Sequence, residues 1–443
     1  MANGRRRRKF PKPREGVCGD LDRKGRGVIV EGLERPMHVE GAMAGERVIY
    51  RRKKRRGDYD EGLLVEVLEP SLLRVEPPCT HYEICGGCKL QHMGAEQQIS
   101  HKQAVLLDGL RDLGGVEPSR ILPPLRGPTT GYRRRARLGV RKVDKKGKVL
   151  VGFREKGGRL VADLLGCEIL LPPGGELIPK LSLLVAAMSI ANAVPQIEVS
   201  VGDDAIGLTL RVLEDPSEND LELLRAFALA EGLRIYLQRG GLETVAPLDG
   251  EEPLLHYDIP ELDLRLGFLP TDFVQVNGVM NRAVVSMVME LMDLQSDHRV
   301  LDLFCGLGNF TLPLARRSHS VVGIEGDDGL VQRGRDNARR NEIENVRFEV
   351  GDLYGKIESA SWLDGRYDRI LIDPPRTGAE AVVARLGALG ANKIVYVACG
   401  PDSLARDAGV LVREYGYRLE AAGIMDMFPH TAHVESVALF VHS

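Results

Sequence analysis

Apolar and polar positions alternate in a regular rhythm along the C-terminal part of the chain. A segment of helical period, "NRAVVSMVMELMDL" (281–294), precedes the apolar run "HRVLDLFC" (298–305). The runs "VVGIEG" (321–326), "VRFEVGD" (346–352), "YDRILIDPP" (367–375) and "IVYVACG" (394–400) follow, with helical "LVQRGRDNARRN" (330–341) after the first. Short β-branched runs separated by helical segments predict a doubly wound, mostly parallel sheet. "YRLEAAGIMDMF" and "HVESVALFVHS" close the chain as two more strands, expected as an antiparallel edge. Residues 15–70 read differently. There "GRGVIVEG", "ERVIYRRKK" and "GLLVEVLEP" are short strands between Gly- and Asp-rich connectors, the pattern of a small β-barrel. Residues 125–265 mix strands ("RRRARLGVRKV", "KVLVGFRE", "LTLRVLE", "LRIYLQR") with helices ("LIPKLSLLVAAMSIANAV", "ENDLELLRAFALAEG") in an α+β pattern. The expected fold class is α/β: a Rossmann-like domain over 269–443, preceded by a basic disordered tail (1–14), a β-barrel (15–73) and an α+β central domain (74–268).

Composition adds a charge asymmetry to this picture. The net charge of −3 conceals a first stretch of 60 residues with 18 Lys/Arg against 9 Asp/Glu. Two blocks, "RRRRK" (5–9) and "RRKKRR" (51–56), carry most of it. A basic end on an otherwise acidic chain points to a polyanion, most simply nucleic acid, with a solubilising tail as the plain alternative for 5–9. The basic start has no apolar run behind it and no run of about 18 apolar residues occurs, so neither a secretory signal nor a membrane span is expected. Seven cysteines without a disulfide-like spacing fit a reducing, cytoplasmic setting.

The candidate chemistry gathers at strand ends. In "IVYVACGPDSLARD" a buried-looking strand runs into Cys399; Gly400 and Pro401 break it, and Asp402 and Ser403 are read as the cap of the helix that follows. In "VLDLFCGLGNFTLPLA" (300–315) a strand leads through Gly306 and Gly308 into a helix. A lone G-x-G fits NAD as well, but Phe310 stands where the dinucleotide pattern has its third glycine. That favours a ligand without phosphates, such as S-adenosylmethionine. Glu325, 17 residues after Gly308, suits the ribose hydroxyls, and Asp352 the adenine amino group. Asp373, in "ILIDPPRTG", ends another strand; capping the next helix is its plain alternative. A thiolate at Cys399 suits attack on carbon 6 of a uracil, which turns carbon 5 into a nucleophile for a sulfonium methyl. Glu435 is the best candidate for removing the carbon-5 proton, with His430 and His433 as rivals.

"FCGLGNF", "DPPRTG", "CGPDSLARD", "DMFPHTAHVE" and the upstream "FVQVN" together resemble the RNA 5-methyluridine methyltransferases, and the resemblance runs over nearly the whole chain. It is nearest to the branch acting on 23S ribosomal RNA, because residues 15–70 resemble the TRAM RNA-binding barrel. The resemblance implies Cys399 as nucleophile and Glu435 as proton acceptor. It implies S-adenosylmethionine contacts from Gln275, Phe304, Asn309, Glu325, Asp352 and Asp373, with Gln275 also facing the uracil. It further implies that residues 93–124 fold onto the catalytic domain; a monomer is expected. One position departs: the family has Asn after the cysteine, and this chain has Gly400.

Cys79, Cys85 and Cys88 form C-x5-C-x2-C, and Cys167 offers a fourth thiolate. Structural zinc more often uses two C-x2-C pairs, so a three-plus-one set suits a [4Fe–4S] cluster, with zinc or plain buried thiols as alternatives. The resemblance implies the same four ligands. Cys18 and Cys305 read as packing residues. Arg133, Arg135 and Arg137 would share one face of a strand and meet RNA phosphates, while Phe273 and Tyr132 would hold an RNA loop open. Three rival functions remain at this level: the same chemistry on the T-loop uridine of tRNA, a non-catalytic ribosome-assembly factor, and an amino-methylating enzyme of the same fold. Arg376, where the last would carry an aromatic residue, speaks against it.

Overall fold

The computed structural model describes residues 11–250, 254–355, 357 and 360–442; the basic block 5–9 lies outside them. The chain divides into two compact units. One holds the described residues up to Lys102 with His430–His433, the other Gln103–Pro429 with the residues from Val434 on.

The first unit is built on six strands, β1 (Arg14–Val17), β2 (Asp20–Leu21), β3 (Gly27–Ile29), β4 (Met37–Glu40), β5 (Arg47–Arg55) and β6 (Asp60–Glu69). They form one sheet in the order β1-β5-β6-β4-β3-β2, antiparallel except for β4 on β6. Period-two patterning drives it: Met37 and Val39 of β4 and Val48 and Tyr50 of β5 turn inward onto Cys18, Ile29 and Ala42. Cys18 is a packing residue, as expected, and burial pushes its thiol up to about 11. Buried Glu46 accepts from Arg74 Nε at 2.6 Å and from Arg74 Nη2 at 2.7 Å, and so fixes the segment after β6.

The second unit contains two large sheets. The first is mixed, from β8 (Arg135–Val143), β9 (Lys148–Gly152), β10 (Gln196–Val201), β11 (Ile206–Arg211), β12 (Leu233–Gln238) and β13 (Val245–Pro247), in the order β13-β12-β11-β10-β8-β9; β7 (Arg120–Ile121) belongs to the second. Helix α1 (Ala95–Gly109) precedes them, and α2 (Leu177–Ala187) and α3 (Glu218–Glu231) lie among them in sequence. The helix expected from "LIPKLSLLVAAMSIANAV" ends early, at Ala187. Ser189 is captured by the buried Asp220, whose Oδ1 accepts from Ser189 N at 2.7 Å, and Asp220 is itself the N3 member of the capping box that starts α3. A hairpin, β14 (Leu255–Ile259) and β15 (Leu264–Phe268), leads to the catalytic part.

There the expected alternation is present: α4 (Gly278–Met292), β16 (Arg299–Leu303), α5 (Thr311–Ala315), β17 (Ser320–Glu325), α6 (Asp328–Arg340), β18 (Val346–Val350), β19 (Arg369–Ile372), α7 (Glu380–Leu386), β20 (Lys393–Ala398), α8 (Pro401–Tyr415), β21 (Tyr417–Met425) and β22 (Glu435–His442). The strand order is β18-β17-β16-β19-β20-β22-β21-β7. The chain runs outward from β16 to β18, then returns to β19 beside β16. Ligands of open α/β sheets bind at such a reversal, outside the carboxyl ends of the strands. β22 inserts antiparallel between β20 and β21, as the closing strands led one to expect. Helix α8 begins one turn earlier than read from Asp402 and Ser403. Pro401 takes the first helical position, Gly400 is the N-cap without a side-chain bond, and Ser403 Oγ donates to the Gly400 carbonyl at 2.9 Å.

Candidate active site

The turn after β16 reverses sharply: Phe304 sits at φ +65°, Gly306 at +54° and Gly308 at +98°. A side chain at Gly308 would combine that backbone with a Cβ 3.1 Å from the Phe348 ring. Glu325, ending the neighbouring β17, accepts from the Gly306 N–H at 3.0 Å and from Gly326 N–H at 2.7 Å. It therefore shapes the turn as well as standing at its mouth. Asp352 accepts from the N–H groups of Tyr354 and Gly355, both at 2.9 Å, in a tight turn after β18. That turn brings the Tyr354 ring 5.6 Å from the Phe304 ring. Asn309 is fixed more rigidly than the sequence suggested. Its Oδ1 accepts from Tyr257 Oη at 2.9 Å and Asn281 Nδ2 at 2.8 Å, and its Nδ2 donates to Asn281 Oδ1 at 3.0 Å. Gln275 borders a small hollow with Arg134, Tyr257 and Asn281.

Sequence reasoning passed over Tyr257, Asn281 and Asp302. The first two act only through partners 28 and 52 residues away, a separation that local pattern does not reveal. Asp302, in the middle of "VLDLF", carried a visible signal: a lone acid in a buried strand. It is fully enclosed, bonded to Thr311 Oγ1 at 2.6 Å, and burial pushes it up to about 8. Asp373 follows β19 and is no helix cap, since α7 starts at Glu380 with Ala379 as its N-cap. Burial raises its carboxyl to about 7.

Cys399 and Glu435 come together through strand register. The β20–β22 ladder ends at the pair Ala398 and Ser436, so Cys399, the residue after one strand's last partner, and Glu435, the residue before the other's, flank the same end of it. The Cys399 thiol is pushed up to about 11, first by burial, then by the charges of Glu435 and Asp373, while Arg376 pulls it down. Its Sγ lies 4.0 Å from the Pro374 carbonyl oxygen. Cys399, Glu435, Asp373 and Arg376 thus share one electrostatic neighbourhood. His430 is engaged in the first unit: its N–H donates to Gln98 Oε1 at 2.8 Å, and its Nδ1 lies 3.2 Å from Gln98 Nε2.

The expected RNA-binding face of arginines is not formed. β8 starts only at Arg135, whose guanidinium donates to the Pro270 carbonyl at 2.6 Å and to that of Asp272. Arg133 donates to the Arg135 carbonyl at 2.8 Å and stacks over Phe428. Arg137 alone of the three is exposed, paired with Glu198 at 2.9 Å. Tyr132 is buried, its hydroxyl donating to the Pro429 carbonyl at 3.0 Å, and so does not reach an RNA loop. Phe273 is 70% exposed.

Cys79, Cys85 and Cys88 lie half-buried in the first unit and Cys167 half-buried in the second, none in a disulfide. Among the described residues, no three His, Cys, Asp or Glu side chains are drawn together as a metal site. Gly87 N–H donates to Cys85 Sγ at 3.4 Å. Cys305 is a buried packing residue, its thiol raised by burial.

A glycine turn at the reversal point of an open sheet, ringed by strand-end carboxylates, defines the methyltransferase class. A family model described as tRNA (Uracil-5-)-methyltransferase matches residues 257–442. Over 439 residues the chain is 50% identical to the 23S rRNA (uracil(1939)-C(5))-methyltransferase RlmD of Alkalilimnicola ehrlichii, covering 99% of this chain and 98% of that protein. It is 48% identical over 440 residues to the protein of the same name from Alcanivorax borkumensis, with 98% of each covered. The crystal structure of the Pyrococcus abyssi tRNA (uracil-54, C5)-methyltransferase in complex with S-adenosyl-L-homocysteine shares the fold. Its TM-score is 0.75 at 24% identity, over 96% of this chain and 99% of that one. The chain belongs to the RlmD family of 23S rRNA (uracil-C5)-methyltransferases.

Proposed function

We propose that the protein methylates carbon 5 of a uridine in 23S rRNA, the counterpart of the position 1939 carried in its relatives' names, with S-adenosylmethionine as donor. The observation that carries the chemistry is that the β20–β22 ladder ends at Ala398 and Ser436, which sets Cys399 and Glu435 at one strand end within reach of each other's charge. Cys399 Sγ adds to carbon 6 of the uracil, and the electrons of the 5,6 double bond move to carbon 5 and the carbon-4 carbonyl. S-adenosylmethionine supplies the electrophilic methyl group and a positive sulfonium. Once carbon 5 is methylated, Glu435 removes its proton, the 5,6 double bond reforms, and Cys399 leaves as thiolate. Cys399 rests as a thiol in the cofactor-free protein because burial and two carboxylates disfavour its charge; a positive charge bound beside it would favour the thiolate. Phe304, Asn309, Glu325, Asp352, Asp373 and Gln275 are assigned to the cofactor and the target base: the first five lie at or just beyond the carboxyl ends of β16 to β19, and Gln275 borders the hollow of Asn281, the partner of Asn309.

The [4Fe–4S] assignment to Cys79, Cys85, Cys88 and Cys167 rests on their chemistry: four thiols outside any disulfide, three of them within one short loop. Such a cluster would serve folding and not methyl transfer. Iron and sulfide assays on anaerobically purified protein should find it, and zinc in their place would overturn it. Among the described residues no helix is long and apolar enough to cross a membrane.

The test of the function is covalent trapping. The protein and S-adenosylmethionine are mixed with 23S rRNA or tRNA transcripts carrying 5-fluorouridine, whose fluorine does not leave as a proton does. A denaturation-resistant adduct is expected on the rRNA and lost in Cys399→Ala. Preference for tRNA would overturn the substrate, and absence of any adduct despite RNA binding would favour the assembly-factor reading.

A further inference from the structure

The motif "CGPDSLARD" contains a buried carboxylate that the reaction does not use. Asp407 is 1% exposed. Its Oδ2 accepts from the Ala379 N–H at 2.9 Å and from the Tyr396 hydroxyl at 2.7 Å, and its Oδ1 accepts from Arg406 Nε at 2.9 Å. Arg406 Nη2 in turn donates to the Thr377 carbonyl at 3.2 Å. One carboxylate therefore grips the end of the loop that carries Asp373 and Arg376, and also the strand that ends in Cys399. The backbones meet just as closely. A Cβ on Gly400 would lie 3.0 Å from the Arg376 carbonyl oxygen, and one on Gly378, at φ +83°, would lie 2.8 Å from Asp407 Oδ2. Gly400, the departure from the family's asparagine, is thus the residue that lets the Arg376 backbone approach the start of α8.

We propose that Asp407, with Arg406, is a positioning residue that pins residues 376–379 onto β20 and α8 and so holds Arg376 beside Cys399. This rests on the reading of Cys399 as nucleophile. A buried carboxylate with three donors is costly to disturb, because each donor left behind is desolvated without a partner. The pin acts on Arg376, a cation that lowers the thiol's pKa against the opposing charges of Glu435 and Asp373.

The readout is the pH profile of iodoacetamide alkylation at the Cys399 peptide, followed by mass spectrometry in the full chain, which needs neither RNA nor turnover. Asp407→Asn should slow alkylation at pH 8 about tenfold, equivalent to one pKa unit. Tyr396→Phe, which removes a single donor and keeps the core volume, should give a smaller slowing in the same direction. In an Arg376→Ala background neither substitution should slow alkylation further. A lowered melting temperature with an unchanged alkylation profile would make Asp407 a purely structural residue. Additive slowing in the Arg376→Ala background would show that it does not act through Arg376. Failure of the wild-type protein to form the 5-fluorouridine adduct would instead sink the functional reading and leave the alkylation result standing.

Discussion

At the scale of single residues, the pair Cys399 and Glu435 makes a double prediction because Glu435 has two effects. Its negative charge raises the Cys399 thiol, and as the proposed base it would release the finished product. In Glu435→Gln the first effect disappears, the folded-state pKa of Cys399 falls, and the thiolate fraction at pH 8 grows. Alkylation of Cys399 should accelerate, by about tenfold for each pKa unit recovered. The second effect disappears too, so methylated RNA carrying ordinary uridine should stay bonded to the enzyme and turnover should stop. Faster alkylation with normal turnover would show that Glu435 faces the thiol without acting as the base. The place of both residues at strand edges was legible in the sequence, Cys399 just after one apolar run and Glu435 at the head of another. That of Arg135 was not. Alternation alone placed it on an exposed face, whereas its guanidinium is spent on carbonyls 135 and 137 residues away. Nothing local distinguishes an arginine that binds phosphate from one that braces a loop.

At the scale of elements, the turn between β16 and α5 is where the proposed function puts the cofactor, and Gly308 is its most constrained member. Gly308→Ala would hold an L-residue at φ +98°, with its Cβ 3.1 Å from Phe348 and 3.2 Å from Leu312. Backbone strain of about 1–2 kcal/mol is expected from the conformation alone. The substitution should lower the melting temperature and weaken S-adenosylhomocysteine, measured by calorimetry, by about tenfold or more. Unchanged affinity in a folded variant would mean that the ligand does not use this turn. Elements with strong period were read well: β16 to β22 fall where apolar runs predicted them, because a strand buried on both faces needs little but β-branched residues and a breaker. Element ends were read less well. Helix α2 stops seven residues short of its apolar run because Asp220, 31 residues further on, claims Ser189. Helix α8 starts early because a proline at its first position outranks the polar residues that follow.

At the scale of the whole molecule, the charge asymmetry becomes a statement about RNA affinity. Within the strand-forming block 51–56, Lys53, Lys54 and Arg55 are exposed on the outer end of β5, and among the described residues none of the three stands in an ion pair. Arg52 and Arg56 are partly neutralised by Asp60 at 3.5 Å and Glu61 at 2.8 Å. Three cations that, among the described residues, stand in no ion pair at one strand end are therefore a local source of phosphate attraction, and each phosphate they meet releases condensed counterions. Replacing Lys53, Lys54 and Arg55 together by Ala should flatten the dependence of log affinity on log salt by roughly 0.7–0.9 for each phosphate no longer neutralised, about two to three in all. S-adenosylhomocysteine binding should stay the same, because those residues belong to a different compact unit from the cofactor turn. The competing account makes this block an ordinary solvated face. It requires the salt slope of the triple variant to match the wild type within error, and filter binding of an rRNA fragment at several salt concentrations separates the two.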